Sequence, residues 1–318
     1  MKPKLGTLLR VVISLVALAV IFWFLRGKLG EAVEILKTEV RLPIFFIAAG
    51  FYFISIVVLS LRMQLILANK KIHFGFGEAI YFFFLGIFFN LFLPSAIGGD
   101  VMKAVYLTPR AKSKADVFSC LVMDRLAGFC IIIFFALLSA ALIRESWNPV
   151  PLWVSLLLLA MLVLGGLAVF IRPEWIQWLF SKMRFLPHKL QEKLNQFYDS
   201  LTGFLHDRLM LVRGLLFSVA AQVLFIIAYY FLGQSLNANI PFSNFFMLVP
   251  MITIISMAPS VGGVGVRELG AAALFQLYMP DERAAALTVL LAVLTYAFSF
   301  LGGIWYLIRG HKEKIPKA

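Results

Sequence analysis

The sequence predicts an all-α polytopic membrane protein, with six full spans plus two re-entrant broken-helix hairpins in an inverted repeat. Three observations predict it. Of the 318 residues, 62% are hydrophobic and 14% are charged, against roughly 45–50% and 25% in a soluble domain. Six apolar runs are long enough to cross a bilayer, which takes ~20 residues each. Two further apolar runs are interrupted by Pro-Ser and Gly-Gly. This composition excludes an antibody-like sandwich, a Rossmann enzyme and a DNA-binding module. It predicts one integral membrane domain over residues 1–318 and no sizeable soluble domain.

The uninterrupted runs lie at about 7–25, 43–67, 117–143, 152–171, 210–232 and 285–308. The first follows Lys2, Lys4 and Arg10, as a signal peptide would. It exits through Trp23-Phe24-Leu25-Arg26 without a small-x-small cleavage site, so it reads as an uncleaved span. The interrupted runs are 79–108 and 243–280. Their breaks read Leu93-Pro94-Ser95-Ala96-Ile97-Gly98-Gly99-Asp100 and Ala258-Pro259-Ser260-Val261-Gly262-Gly263-Val264-Gly265. Proline removes a backbone donor and glycine weakens a helix, so each run should be two short helices meeting at a broken tip.

Loop charge orients the chain. The net charge is +13, which the positive-inside rule explains better than nucleic acid does. Arg62, Lys70 and Lys71 precede the first break; Arg110, Lys112 and Lys114 follow it. The second break has one flanking basic residue, Arg283. The first hairpin should therefore enter from the cytoplasm and the second from outside, with both termini in the cytoplasm. That layout puts 21 of the 29 Lys and Arg on the cytoplasmic side, six outside, and Arg125 and Arg267 within the membrane. The halves, about 5–146 and 150–310, then repeat with opposite orientation, as in secondary transporters whose sites form where broken helices meet. The competing explanation is that Pro-Ser and Gly-Gly are coincidental turn chemistry.

Two amphipathic pieces complete the map. Leu190, Leu194, Phe197, Leu201 and Leu205 recur at helical spacing within a cytoplasmic segment, 172–209. It should lie on the membrane surface, or else pack on a neighbour's loop. Leu29, Val33 and Leu36 repeat the pattern outside. Cys120 and Cys130 would sit ~15 Å apart on one helix, beyond disulfide reach. His73, His188, His206 and His311 lack ligand spacing, so neither a metal site nor another cofactor is expected.

A charge at membrane depth costs at least ~2.5–3.5 kcal/mol on insertion scales, so each one needs a reason. Ser95, Gly98, Gly99, Asp100 and Lys103 surround the start of a half-helix, whose free N–H groups suit a phosphate. Asp100 could equally be the N-cap. In the second break, Gly262, Gly263 and Gly265 precede Arg267 and Glu268. A cation in a first helical turn opposes the dipole. An anion between helix and arginine would resolve this, and so would an Arg267–Glu268 or Arg267–Asp100 ion pair. Asp124 and Arg125 point ~100° apart and need different partners. An ion-pair network suits Asp124, and phosphate recognition suits Arg125. Asn90 and Gln222 read as interhelical hydrogen-bonding amides. No catalytic constellation or P-loop is present in the sequence.

The run Asn90-Leu91-Phe92-Leu93-Pro94-Ser95-Ala96-Ile97-Gly98-Gly99-Asp100-Val101-Met102-Lys103 carries a resemblance. So do Asp124-Arg125-Leu126 and Gly262-Gly263-Val264-Gly265-Val266-Arg267-Glu268. Together they resemble the lysylphosphatidylglycerol synthase transmembrane-region family, the flippase-like membrane part of the multiple peptide resistance factor. The resemblance covers about residues 5–310. It departs at Lys103, where the family commonly has Arg. It implies movement between leaflets of a phospholipid with an anionic headgroup, such as aminoacylated phosphatidylglycerol, or of a lipid-linked precursor, in a cytoplasmic (inner) membrane. Full-length synthases add a soluble aminoacyltransferase domain. Only Arg309–Ala318 follow the last span here, so the chain is expected to stand alone without lysyltransferase activity.

Three functions follow as expectations. The first is a flippase-like lipid transporter working by alternating access, in which Arg267, Arg125 and Lys103 hold the phosphate. The second is the membrane part of a lipid-headgroup-modifying enzyme, with Asp100, Asp124 or Glu268 as general base. The third is a non-transporting scaffold. The partners expected are a membrane phospholipid, a second copy in a homodimer, or a separate lipid synthase or glycosyltransferase.

Overall fold

A computed structural model describes residues 29–91, 98–142, 161, 188–257 and 265–310. Ten helices and two short 3-10 turns account for nearly all of them, and no strand occurs among the described residues. The helices are α1 (Leu29–Thr38), α2 (Leu42–Asn69), α3 (Phe76–Asn90), α4 (Gly98–Leu107) and α5 (Lys114–Leu142). They continue with α6 (His188–Thr202), α7 (Arg208–Gln234), α8 (Phe242–Ser256), α9 (Val266–Phe275) and α10 (Asp281–Gly310). The chain is an all-α, multi-pass membrane protein.

Helices α2, α5, α7 and α10 run for 27 to 30 residues. At ~1.5 Å per residue each is about 40–45 Å long, more than the ~30 Å hydrocarbon core needs. They match the spans expected at 43–67, 117–143, 210–232 and 285–308. The spans expected at 7–25 and 152–171 lie outside the described residues. The outward faces are apolar: Phe46, Leu216, Phe300 and Leu307 are all more than half exposed, which suits lipid.

Local chemistry sets the helix starts. Pro43 occupies the first turn of α2, where its missing N–H costs nothing. The Met210 N–H donates to the Asp207 carboxylate at 2.9 Å, capping α7. The same carboxylate accepts from Asn69 at 2.9 Å, tying the end of α2 to the start of α7.

Both interrupted runs are pairs of short helices. Helix α3 packs against α4, and α8 packs against α9. Their 15 and 10 residues give about 22 and 15 Å, too short to cross alone. The tips, 92–97 and 258–264, lie outside the described residues. Close approach in the first pair depends on glycine. A Cβ on Gly99 would sit 2.0 Å from the Gly86 carbonyl oxygen, so the two backbones touch.

The packing is reciprocal between the two halves of the chain. Helices α2 and α7 lie against each other. Helix α3 packs on α10, while α8 packs on α5. Helix α1 packs on α10, while α6 packs on α5.

Two apolar clusters fill the interior. One joins Tyr52, Phe84, Phe135, Tyr229 and Phe245. The other joins Met63, Tyr81, Phe82 and Phe204. Along α2, buried Ser60 and Arg62 fall between Ile56 of the first and Met63 of the second. Arg62 was expected in a cytoplasmic flank. It is instead 5% exposed inside a membrane helix, because the apolar run resumes beyond it through Leu67 and carries the helix to Asn69.

Helix α6 turns its apolar stripe onto α5. Leu201 is buried and Phe197 packs beside it. Ser200 reaches Ser119 at 2.8 Å and donates to Asp116 at 2.7 Å. The stripe ends at Phe204 rather than Leu205, which is exposed. The chain tightens into a 3-10 turn over Gly203–His206, and three residues per turn bring the inward position one residue earlier, to 204. In α1, Leu36 packs against the first cluster. The side chains of Leu29 and Val33 lie outside the described residues.

Candidate functional site

A cavity of about 270 Å³ opens between α2, α3, α4, α5, α7 and α8. Its charged lining comes from three helices: Arg62 on α2, Asp100 and Lys103 on α4, and Asp124 and Arg125 on α5, with Ser218 and Gln222 on α7 adding polar groups.

Two ion-pair groups divide these charges. In the first, the Arg62 Nε donates to Asp124 Oδ1 at 2.8 Å. The Arg62 Nη1 donates to Ser218 Oγ, also at 2.8 Å. Gly128 makes room for this guanidinium, since a Cβ there would stand 3.3 Å from Nη1. In the second group, the Asp100 carboxylate accepts from Lys103 Nζ at 3.2 Å and from Arg125 Nε. The Lys103 ammonium also lies 4.8 Å above the Phe83 ring, a cation–π contact that gains strength away from water. The neighbours Asp124 and Arg125 thus take different partners, as their angular separation requires.

Asn90 performs the capping expected of Asp100. Its Oδ1 accepts from the Gly99 N–H at 2.7 Å, across the break and from the facing helix. The Asp100 carboxylate is left for the two cations. Gln222 departs from expectation in the other direction. It is 9% exposed and lines the cavity, yet its amide nitrogen has no acceptor among the described residues.

The second break builds a separate cluster. Gly265 has φ 86°, a conformation glycine adopts without penalty. Its N–H donates to Glu268 Oε2 at 2.7 Å, closing the first turn of α9. Glu268 Oε1 accepts from Arg267 Nε at 3.1 Å and from the Tyr296 hydroxyl at 3.0 Å. The Arg267 guanidinium lies 5.2 Å over the Tyr296 ring. Of the two ion pairs expected for Arg267, the one with Glu268 forms. Arg267 and Glu268 are not in the lining of the cavity that holds Lys103 and Arg125.

Of the residues singled out in the sequence, Asn90, Asp100, Lys103, Asp124 and Arg125 share one cavity. Gly98 and Gly99 begin α4 beside it. Gly265, Arg267 and Glu268 form the second cluster, and Ser95, Gly262 and Gly263 lie outside the described residues. Sequence reasoning missed Arg62, Ser218 and Tyr296. Arg62 had a readable signal, being a charge within an apolar run that continues on both sides. Ser218 and Tyr296 had none, since serine and tyrosine are common in membrane helices.

These motifs and the broken helices agree with one known family. The lysylphosphatidylglycerol synthase TM region matches residues 8–303. The chain belongs to this family. A UPF0104 membrane protein of Pyrococcus horikoshii is 27% identical over 300 residues, covering 85% of this chain and 88% of that protein. A UPF0104 membrane protein of Methanothermobacter thermautotrophicus is 25% identical over 287 residues, covering 81% of each. No solved structure matches at a significant level. Within this member of the lysylphosphatidylglycerol synthase TM region family, the described site holds five charged side chains against one cavity. Its three cations are all engaged by the two carboxylates among the described residues.

Proposed function

We propose that this protein moves a phospholipid with an anionic or aminoacylated headgroup, or a lipid-linked precursor, between leaflets. The observation that carries the reading is the cavity at membrane depth, in which Arg62, Lys103 and Arg125 face two carboxylates. Buried charges are costly and persist in membrane proteins mainly along substrate or ion paths. Guanidinium and ammonium groups suit a phosphate, and the acyl chains would remain in lipid.

The reciprocal packing of the halves supports an inverted repeat. In that arrangement α2 corresponds to α7, the α3–α4 hairpin to α8–α9, and α5 to α10. Rocking one half against the other would open the cavity to each side in turn. The proposed setting is the cytoplasmic membrane with both termini inside.

The test is leaflet movement of fluorescent phospholipids in proteoliposomes. Wild-type protein should move anionic lipid and Arg125→Ala should not. Equal movement by folded wild type and variant would remove the cavity from the path. No movement by wild type with any lipid tried would overturn the transporter reading.

A further inference from the structure

We infer that α3, α4 and α10 move as one leaf, and that this leaf gates the cavity at the end of the molecule where Glu78 lies. That end is cytoplasmic in the orientation proposed above. The inference rests on the transport reading for the purpose of the gate, and it adds which part of the molecule moves.

Glycine and charge make the leaf. Helix α3 packs against both α4 and α10, and its backbone touches each. A Cβ on Gly99 of α4 would collide with the Gly86 carbonyl, and one on Gly302 of α10 would collide with the Phe84 carbonyl. Small residues let helix backbones approach this closely in a membrane. One carboxylate then joins all three helices at their shared end. Glu78, in the first turn of α3, accepts from Arg110 just beyond α4 at 3.0 and 3.2 Å, and from Arg309 at the end of α10 at 3.1 Å. Each guanidinium also covers a ring of α3: Arg110 lies 5.5 Å from Phe82, and Arg309 lies 4.6 Å from Tyr81. Forked, charge-assisted bonds fix geometry as well as energy, so sliding one of these helices past another would break them. The leaf thus combines the hairpin of the first half of the chain with the last span of the second.

A second body faces it. Arg62, Asp124 and Ser218 join α2, α5 and α7. Asn69 donates to Asp207 between the end of α2 and the start of α7, and Ser200 of α6 donates to Asp116 of α5. Between leaf and body, apolar side chains close the cavity at the Glu78 end. Phe82, Leu85 and Leu107 of the leaf share one buried cluster with Met63, Leu121 and Met210 of the body. Along α2, α4, α5 and α7 the cluster residues lie nearer that end than the residues lining the cavity. Apolar contact is non-directional, so this seam can part without unpairing a polar group. Either body would lose buried polar bonds by coming apart. The Asp100–Arg125 ion pair crosses from leaf to body at the cavity, and it favours the closed position.

The test measures distances between spin-label pairs in phosphatidylcholine nanodiscs, in a Cys120→Ser/Cys130→Ser background and without any added ligand. The labels replace Val105 and Leu307 on the leaf and Leu209 on the body, all exposed. The Val105–Leu307 pair should give one narrow distance in the parent protein and the same distance in Asp100→Asn. The Val105–Leu209 pair should gain a population displaced by about 5 Å, one helical turn, in Asp100→Asn. Glu78→Gln should broaden the Val105–Leu307 distribution, because the leaf has lost its shared carboxylate.

A Val105–Leu307 distance that shifts along with Val105–Leu209 overturns the leaf. An unchanged Val105–Leu209 distance in folded Asp100→Asn overturns the gate; if that variant does not fold, Arg125→Gln breaks the same ion pair and decides. An unchanged Val105–Leu307 distribution in Glu78→Gln overturns the part given to Glu78. Leaf movement without leaflet movement of lipid would leave this inference standing and overturn the transporter reading. Leaflet movement with the leaf fixed on the body would do the reverse.

Discussion

Arg62 and Asp124 meet at 2.8 Å across 62 positions of sequence, both almost fully buried. Ser218 completes the contact from a third helix. This ion pair joins α2 and α5 in the wall of the cavity. It is worth more as a geometric lock than as a source of net stability, since the attraction first has to offset the desolvation of both groups.

Breaking that lock on one side should be severe. Asp124→Leu strands the guanidinium and should cost roughly 3–5 kcal/mol, as for other half-broken buried pairs, and Arg62→Met likewise strands the carboxylate. The double variant Arg62→Met/Asp124→Leu should lose much less than the two single losses combined. Thermal unfolding in detergent across the four proteins of this cycle measures the coupling. Additive losses would show that the pair does not act as a unit.

Gly99→Ala should open the first hairpin. Its methyl would stand 2.0 Å from the backbone oxygen of Gly86, which cannot step aside. The α3–α4 contact must separate, at a cost of about 1–3 kcal/mol or more for overpacking, and the Asn90 cap on Gly99 goes with it. Gly86→Ala meets the Lys103 side chain, with Cε nearest at 2.3 Å, the far end of a flexible chain. Its stability should fall less, while anionic-lipid binding falls more because the ammonium is displaced. Melting temperature and lipid binding, compared for the two variants, separate these effects.

Arg267→Ala should abolish lipid movement without unfolding the protein. The Gly265 N–H and the Tyr296 hydroxyl continue to hold Glu268, so the carboxylate keeps two of its donors. Proteoliposome movement is the readout, with size-exclusion profile and melting temperature as controls for folding. Full transport by a folded Arg267→Ala protein would place the second cluster outside the lipid path.

Tyr296→Phe tests the structural side of the same cluster. It removes one hydrogen bond to an ionised, buried carboxylate and should cost about 1.5–3 kcal/mol. The aromatic face over Arg267 is retained, so transport by the folded variant should persist at reduced thermal stability. Loss of transport with stability unchanged would assign Tyr296 a direct part in the path.

Much of the fold was legible because its causes are local. Length and hydropathy mark α2, α5, α7 and α10 as spans. Proline and glycine mark both breaks, because each acts on its own backbone. The charges of the site were legible as well, since a charged side chain in an apolar run stands out by its cost. Arg62 escaped because a residue near a helix end resembles a loop residue until the end of that helix is known.

The sequence by itself determined that this chain is a helical membrane protein, where its helices break, and which charged groups other than Arg62 lie at membrane depth. Only the tertiary structure decided how those charges pair: Asp100 with Lys103 and Arg125, Asp124 with Arg62, and Glu268 with Arg267. The physical reason lies in the helices themselves. A span that is apolar all round has no periodic stripe to fix its rotation, and hydropathy sets depth only to within a turn or so. Pairing depends on both, and both are set by contacts such as Gly99 on Gly86 and α2 on α7, which exist only when the helices are assembled.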